Sequence, residues 1–487
     1  MAKFDYDIGI IGGGAAGLTV ASGSAQLGAR TLLIEKEESL GGDCLHFGCV
    51  PSKTLIKSAK LYHAMKRASE FGLPAVDLPP VNFSLVAERI KSVISEIQKH
   101  DSVERFNRLG AEIRFGSPCF VDEHMVDCDG QKISAKHWVI ATGSSPAPPR
   151  IPSLGEIPLI TNREVFSLQE LPASLIVLGG GPIAIEMAQA FCRLGSRVTV
   201  VQRSAQILSK EDRDMADTVM TTMEKEGVRF ILEAEISGAT LKGEDKIIRV
   251  TTPAGSQEIS GDTVLLAQGR SPNVSGLGLD AIGITFSTRG IEVDNRMRTS
   301  HHHIYAPGDI NGRYQFTHAA GYEGGIVVSN AVFHLPRKAN FRWMPWCTFC
   351  DPELASIGLN EKRAQALGIG YSVLKEEFSA NDRALAEGST VGQLKLLLDK
   401  KEKVMGVQIL GPSAGDLLAE WVAVLESKMK LTHLAGTIHP YPTLAEINKR
   451  VAGGHISSKI FSQRVRKALK LFFRLQGTSV PSDPPGE

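Results

Sequence analysis

The sequence predicts an α/β protein in which one strand–glycine turn–helix unit occurs twice, followed by a C-terminal α+β segment. Three observations carry that reading. Asp7-Ile8-Gly9-Ile10-Ile11 is a short apolar run that opens at once into Gly12-Gly13-Gly14-Ala15-Ala16-Gly17 and a helical pattern. The same order returns at Leu175-Ile176-Val177-Leu178, followed by Gly179-Gly180-Gly181-Pro182-Ile183-Ala184. From about Phe341 onward, strands alternate with amphipathic helices and no glycine fingerprint recurs. A strand before and a helix after are what give G-x-G-x-x-G its meaning as the turn of a Rossmann-like, dinucleotide-binding unit.

In the first unit, glycines let the backbone approach a pyrophosphate, whose charge the helix N-terminus stabilises. The next strand, Arg30 to Ile34, ends at Glu35, 23 residues after Gly12. A carboxylate there can accept hydrogen bonds from a ribose. The second unit keeps the spacing but changes the chemistry. Ala184 replaces the third glycine, Glu186 rides on the helix, and the strand ending at Val201 is followed by Gln202, Arg203 and Ser204. A carboxylate would repel a 2′-phosphate, whereas an arginine beside a hydroxyl can bind one, so NADPH is expected at the second site.

Between the units lies Gly41-Gly42-Asp43-Cys44-Leu45-His46-Phe47-Gly48-Cys49-Val50-Pro51-Ser52-Lys53. Pro51 fits the first turn of a helix, which places Cys49 near a helix N-terminus, where a thiolate is favoured. The pair reads as a redox disulfide. The helix from Ser52 to about Arg67 is followed by a Pro-rich link and by a longer helix expected from about Phe83 to Leu109. Trp138 to Ile140 runs as a strand into Ala141-Thr142-Gly143, and the Pro-rich loop beyond marks a domain crossing near residue 150. The second unit ends in the turn Gly269-Arg270-Ser271-Pro272. Ile304 to Asp309 is a strand entering a Gly-Asp turn, with Asp309 placed to accept hydrogen bonds from a polyol hydroxyl.

Several features read as something other than a site. His301-His302-His303 is a surface loop whose side chains do not converge on one ion, and no metal site is expected. Cys347 and Cys350 form a lone C-x-x-C, and in a strand they would face opposite sides. Residues 459–474 are basic and amphipathic, suited either to an anionic membrane surface or to packing on the domain. Ser479 onward is short, polar and Pro-rich, the composition of a disordered tail.

Composition bounds the function. A chain of 487 residues exceeds one ordinary core, and 43% hydrophobic with 22% charged residues is globular. A net charge of +1 gives no global pull toward nucleic acid. Seven scattered cysteines do not make a secreted disulfide framework. No apolar run approaches the ~20 residues of a membrane span, and no signal-peptide pattern opens the chain, so the expected compartment is the cytoplasm.

Taken together, these motifs resemble the flavoprotein disulfide reductases: dihydrolipoamide dehydrogenase, glutathione reductase and mercuric reductase. The resemblance runs from residue 5 to about 460. It implies an FAD domain at 1–150 and 275–340, an NAD(P) domain at 151–274 and a dimerisation domain at 341–458, with 459–487 as a basic helix and tail. FAD would be held by Gly12, Gly14, Ala16, Gly17, Glu35, Gly42, Lys53, Ala141, Thr142, Gly143, Asp309 and His318. NADPH or NADH would be held by Gly179, Gly181, Ala184, Glu186, Gln202, Arg203, Gly269 and Arg270. Electrons would pass from the nicotinamide to the flavin and on to the Cys44–Cys49 disulfide. Cys49 then matches the thiol next to the flavin, Cys44 the interchange thiol, and Lys53 with Glu186 an ion pair beside the ring.

The resemblance also implies a homodimer in which Tyr441 and Glu446 of the partner complete each site. Disulfide-reducing relatives carry a histidine where this sequence has Tyr441. Tyrosine, with an unperturbed pKa of ~10, is a poor base near neutral pH. His439 lies two residues earlier as a candidate replacement. Tyrosine here is similar to mercuric reductases, although no cysteine follows Cys350 and the first strand begins at Asp7, without a preceding metal-binding domain. The acceptor is expected to be a metal ion, a quinone or a small disulfide. Dihydrolipoamide dehydrogenase is the competing activity, and a membrane-docked redox partner is the reading from another class.

Overall fold

The computed structural model describes residues 4–477. They form two compact units that meet in sequence between Asp351 and Pro352. The first unit contains the predicted repeat as two parallel sheets of the same strand order. In one, the strands run in the order Ala111–Phe115, Thr31–Glu35, Tyr6–Ile11, Gln131–Ile140. In the other, they run Arg229–Ile231, Arg197–Val201, Ser174–Leu178, Thr263–Leu266. Each first strand feeds its glycine turn and then its helix, Ala15–Gln26 or Pro182–Leu194.

Alternation along the strands divides the core. Leu33 and Val139 pack to one side with the helix residues Leu18, Val20 and Ala21, whereas Leu32, Ile34, Trp138 and Ile140 pack to the other. The close approach is severe at Gly9, where a Cβ would meet the Trp138 ring at 2.3 Å. Helix Thr317–Ala331 lies against helix Ala15–Gln26, and a Cβ on Gly324 would reach the Ala16 carbonyl oxygen at 3.0 Å. These contacts hold the first glycine turn against the Gly308-Asp309 turn.

The second unit is an antiparallel sheet, Glu353–Gly358, Val404–Gly411, Gln393–Leu398 and Ser372–Glu377, with helices Ala414–Glu426 and Glu446–Ile460. Trp421 is fully buried and donates to Asn448 at 2.7 Å, which joins those two helices. Among the described residues, no helix is long and apolar enough to cross a membrane.

Three expectations are corrected, while the histidine run keeps its expected loop conformation. The helix expected from Phe83 to Leu109 is broken into Phe83–Gln98 and Val103–Arg108 because Ser102 turns extended and caps the second piece through the Arg105 amide at 3.3 Å. Residues 459–474 are not one helix: the first ends at Ile460, Ser462 is extended, and Gln463–Phe473 starts anew. Cys350 lies beyond the strand Pro345–Thr348, so the alternation argument does not apply to it and Cys347. His301 and His303 sit in a turn closed by the Ile304 amide on the His301 carbonyl at 2.9 Å. Their rings lie 6.0 Å apart, and His303 stacks on His124 at 4.1 Å. The tail from Ser479 lies outside the described residues.

One buried charge cluster seals the end of the second glycine helix. Arg193 is 5% exposed at its side chain and pairs with Glu226 at 2.6 Å and Asp351 at 2.8 Å. Removing the cation leaves Glu226 with only the Gln189 amide and Asp351 with only the half-exposed Lys60 at 3.4 Å as side-chain partners among the described residues. Arg193→Leu is therefore expected to cost about 2–4 kcal/mol in chemical denaturation followed by tryptophan fluorescence. A loss below about 0.5 kcal/mol would show that solvent compensates the pair.

Candidate functional site

At the first turn, Gly12 has φ of +105° and a Cβ there would strike the Ala141 carbonyl oxygen at 2.4 Å. A Cβ on Gly17 would strike the Gly12 carbonyl oxygen at 1.9 Å. Gly14 differs, since its Cβ would have only the Gly42 Cα for company, at 4.0 Å. Protein packing thus explains the outer glycines, and the middle one leaves a cradle of pyrophosphate type at a helix N-terminus. Ala16 closes its far side, 3.3 Å from where a Gly308 Cβ would stand. Glu35 is buried at the strand end and accepts the Gly13 amide at 2.6 Å through Oε2 and the Glu37 amide at 2.9 Å through Oε1.

The rest of this lining agrees with a dinucleotide. Gly143 has φ of +67° with nothing near its missing side chain, and Thr142 is tied to Asn273 in both directions at 3.0 and 2.8 Å. Asp309 accepts the Ser144 hydroxyl at 2.6 Å, and burial pushes its carboxyl above the usual range. Behind it, Glu323 is fully buried and holds the Gly308 amide at 2.6 Å and Asn311 at 2.7 Å. Burial raises the Glu323 carboxyl to about 7. His318 stacks on Phe316 and bonds the Pro345 carbonyl at 2.9 Å. These residues fit FAD.

The second cradle repeats the geometry. Gly179 has φ of +125° and a Cβ would meet the Ala267 carbonyl oxygen at 2.4 Å, whereas Gly181 has open space. Ala184 is buried within the helix. A cavity of about 520 Å³ opens here, lined among others by Gly179, Gly181, Gln202, Arg203, Gly269 and Arg270. Gln202 takes the place that Glu35 holds in the first unit: its amide nitrogen bonds the Ser204 hydroxyl at 2.6 Å and it packs on Gly180. Arg203 is exposed on the cavity wall and Arg150 lines it as well.

The cysteines lie where helix Cys49–Lys66 begins, with Cys44 in the short helix Gly42–His46. Cys49 is the more exposed of the two. The Cys44 thiol hydrogen-bonds Cys49, which lowers Cys49 to about 6, and the Thr317 hydroxyl at 3.5 Å and the Lys53 charge act the same way. That same bond, together with burial, pushes Cys44 up. The thiolate therefore belongs to Cys49. Lys53 pairs with Glu186 at 2.7 Å and sits 4.4 Å over the Phe349 ring, while Glu186 accepts the Phe349 amide at 2.9 Å.

His439, Tyr441 and Glu446 belong to the second unit. Tyr441 is exposed and donates to Asp382 at 2.9 Å, a bond that raises its phenol above the ordinary value. His439 is occupied: Nε2 meets Glu420 at 2.9 Å and Nδ1 meets Thr437 at 3.3 Å. Glu446 opens helix Glu446–Ile460. Four residues near the cysteines went unnoticed in the sequence: Asp43, Asn162, Thr317 and Phe349. Thr317 had a signal, standing beside His318 at a helix start. Asn162 and Phe349 are joined to the site across chain separations that no local pattern reveals, and Asp43, adjacent to Cys44, is given its role by Asn162. Among the described residues, no cluster of three or more His, Cys, Asp or Glu is arranged to hold a metal ion.

A dithiol with one member held as a thiolate, bridged by Lys53 and Glu186 to the second of two nucleotide cradles, defines a class: a two-nucleotide oxidoreductase working through a redox-active cysteine pair. Comparison with known proteins gives the family. Residues 6–324 match the pyridine nucleotide-disulphide oxidoreductase family and residues 344–459 match its dimerisation domain. The chain belongs to this family, whose members are NAD(P)H-dependent flavoproteins. It is 34% identical over 452 residues to a mercuric reductase of Bacillus cereus, spanning 91% of this chain and 70% of that one. It is 36% identical over 457 residues to a dihydrolipoyl dehydrogenase of Geobacillus stearothermophilus, spanning 91% and 94%. The solved Cu(II) complex of the HOCl-induced flavoprotein disulfide reductase RclA from Escherichia coli superposes with a TM-score of 0.83 at 27% identity, over 93% of this chain and 99% of that one. FAD and NAD(P)H are the cofactors, and the dimerisation domain makes the enzyme a homodimer.

The thiol assignment has a direct test. In the reduced protein, the alkylation rate of Cys49 by iodoacetamide should rise with pH through a midpoint near 6, because the thiolate is the nucleophile. Cys44→Ala removes the leading donor and should move that midpoint up by about one unit or more. An unmoved midpoint would assign the depression to Lys53 and the helix instead.

Proposed function

We propose that this chain is a homodimeric, NADPH-using reductase whose acceptor is a thiol-reactive metal ion. The observation that carries the reading is Tyr441. A disulfide acceptor leaves as a thiolate that needs a proton from a group cycling near neutral pH. Tyr441 stands where the disulfide-reducing relatives have histidine, and its hydrogen bond to Asp382 keeps the phenol protonated. His439 is committed to Glu420. A metal ion bound by two sulfurs needs electrons and no such proton. The mercuric reductases among the relatives and the copper complex of a similar fold agree with this choice.

In this reading, residues 1–150 with 275–340 hold FAD, 151–274 hold the nicotinamide nucleotide, and 341–458 form the dimer. FAD held there would supply two-electron chemistry between NADPH and the Cys44–Cys49 pair. Cys49 then carries the thiolate, with Lys53 as its cation, and Cys44 meets the acceptor beside the partner's Tyr441. Arg203 and Arg150 favour the 2′-phosphate of NADPH, and Gln202 removes the repulsion a carboxylate would bring. The test is an oxidation assay with NADPH and with NADH across Hg(II), Cu(II), quinones and small disulfides. NADPH with a metal ion should turn over fastest, and Cys44→Ser should lower that rate by about 100-fold or more. Brisk turnover of dihydrolipoamide with NAD would overturn the choice of acceptor.

The terminal helix Gln463–Phe473 supports a peripheral contact with an anionic membrane. None of its residues is buried, and Leu471, Phe472 and Phe473 are exposed among Arg464, Arg466, Lys467 and Lys470 with no acidic residue. Basic helices of this kind lie in the headgroup plane. The full chain should sediment with phosphatidylserine vesicles and not with phosphatidylcholine vesicles, and truncation after Ser462 should abolish it. Equal binding by the truncated chain would end this reading.

A further inference from the structure

Asp43 stands one residue before Cys44, and its carboxylate is held from two sides. Arg270 approaches one oxygen at 3.0 Å, and the Asn162 amide lies 3.2 and 3.4 Å from the pair. The same Asn162 amide donates to the Phe47 carbonyl at 2.9 Å, so one buried side chain grips the loop on both sides of Cys44. Arg270 also donates to the Ser144 hydroxyl at 2.8 Å, and that hydroxyl donates to Asp309 at 2.6 Å. Asn162 and Arg270 have a second position in the molecule. Both line the 520 Å³ cavity at the second glycine turn. The wall of the nucleotide cavity is thus hydrogen-bonded directly to the residue preceding the interchange thiol, by a route separate from Lys53 and Glu186.

We propose that Asp43 is a positioning residue through which occupancy of the nicotinamide nucleotide cavity sets the reactivity of Cys44. An anionic pyrophosphate in that cavity competes with Asp43 for the Arg270 guanidinium, which pairs readily with either. As Arg270 turns toward the nucleotide, the Asp43 carboxylate is left less compensated beside Cys44. A nearby negative charge disfavours the thiolate, so Cys44 is quieted while nucleotide is held and becomes reactive when it leaves. Linkage requires the converse at equilibrium: ionising Cys44 weakens nucleotide binding by the factor by which bound nucleotide disfavours that ionisation. The proposal rests on that cavity being the nicotinamide nucleotide site.

The experiment uses the FAD-loaded Cys49→Ser dimer, in which Cys44 cannot form the disulfide, and oxidised NADP+, which carries no hydride to transfer. Cys44 alkylation by iodoacetamide is read by peptide mass spectrometry, with NADP+ binding measured in parallel by calorimetry. Saturating NADP+ should slow Cys44 by about fivefold or more, the lower end of ordinary coupling between sites. Adding Asp43→Asn should shrink the effect below about twofold while NADP+ still binds, and Asn162→Ala should shrink it in an independent way. A steric shield over Cys44 would survive both substitutions, so full slowing in both variants overturns the proposal. Equal rates with NADP+ demonstrably bound overturn it as well. Failure of NADP+ to bind at all overturns the nucleotide assignment, and this inference with it.

Discussion

The ion pair between Lys53 and Glu186 is the contact on which the chemistry of the first unit depends. It joins the helix that begins at Cys49 to the helix that begins at the second glycine turn, 133 residues away in the chain. Its distance of 2.7 Å places a cation where the Cys49 thiolate benefits, and Glu186 is nearly sealed from solvent while doing so. The other Glu186 oxygen takes the Phe349 amide, so a third distant segment is fixed by the same carboxylate. Breaking one partner would leave a buried charge unpaired, which costs far more than the pair itself contributes.

Around that contact the thiols are made unequal. Cys44 donates and Cys49 accepts, and the helix start, Thr317 and Lys53 reinforce the direction. Inequality is useful in a dithiol, since one sulfur can hold negative charge while the other remains available for exchange. The contact network behind Cys44 uses different residues from the one behind Cys49. Asp43, Asn162 and Arg270 serve the first; Lys53, Glu186 and Phe349 serve the second.

Local pattern revealed the repeated fold because strand, glycine turn and helix are consecutive in the chain. The same locality made Gly12, Gly179, Cys44 and Cys49 readable, along with the place of Glu35 and Gln202 at strand ends. Breaks in helices were harder. Ser102 and Ser462 interrupt otherwise periodic apolar patterns, and one polar residue is a weak signal against many periodic ones. Asn162 was invisible for another reason: it lies in an irregular segment 119 residues from Asp43, and only tertiary packing brings the two together. Arg270 was assigned to nucleotide binding from its motif, and its second bond, to Asp43, has no sequence signature.

The two middle glycines, Gly14 and Gly181, lack side chains in places where the protein itself would tolerate one. The core does not require their smallness, which fits a cradle left open for a ligand. A methyl group at either position meets no close protein contact, so the packing of the fold does not itself demand glycine there. Drift at either position would erode activity silently, without the loss of abundance that follows damage to the core.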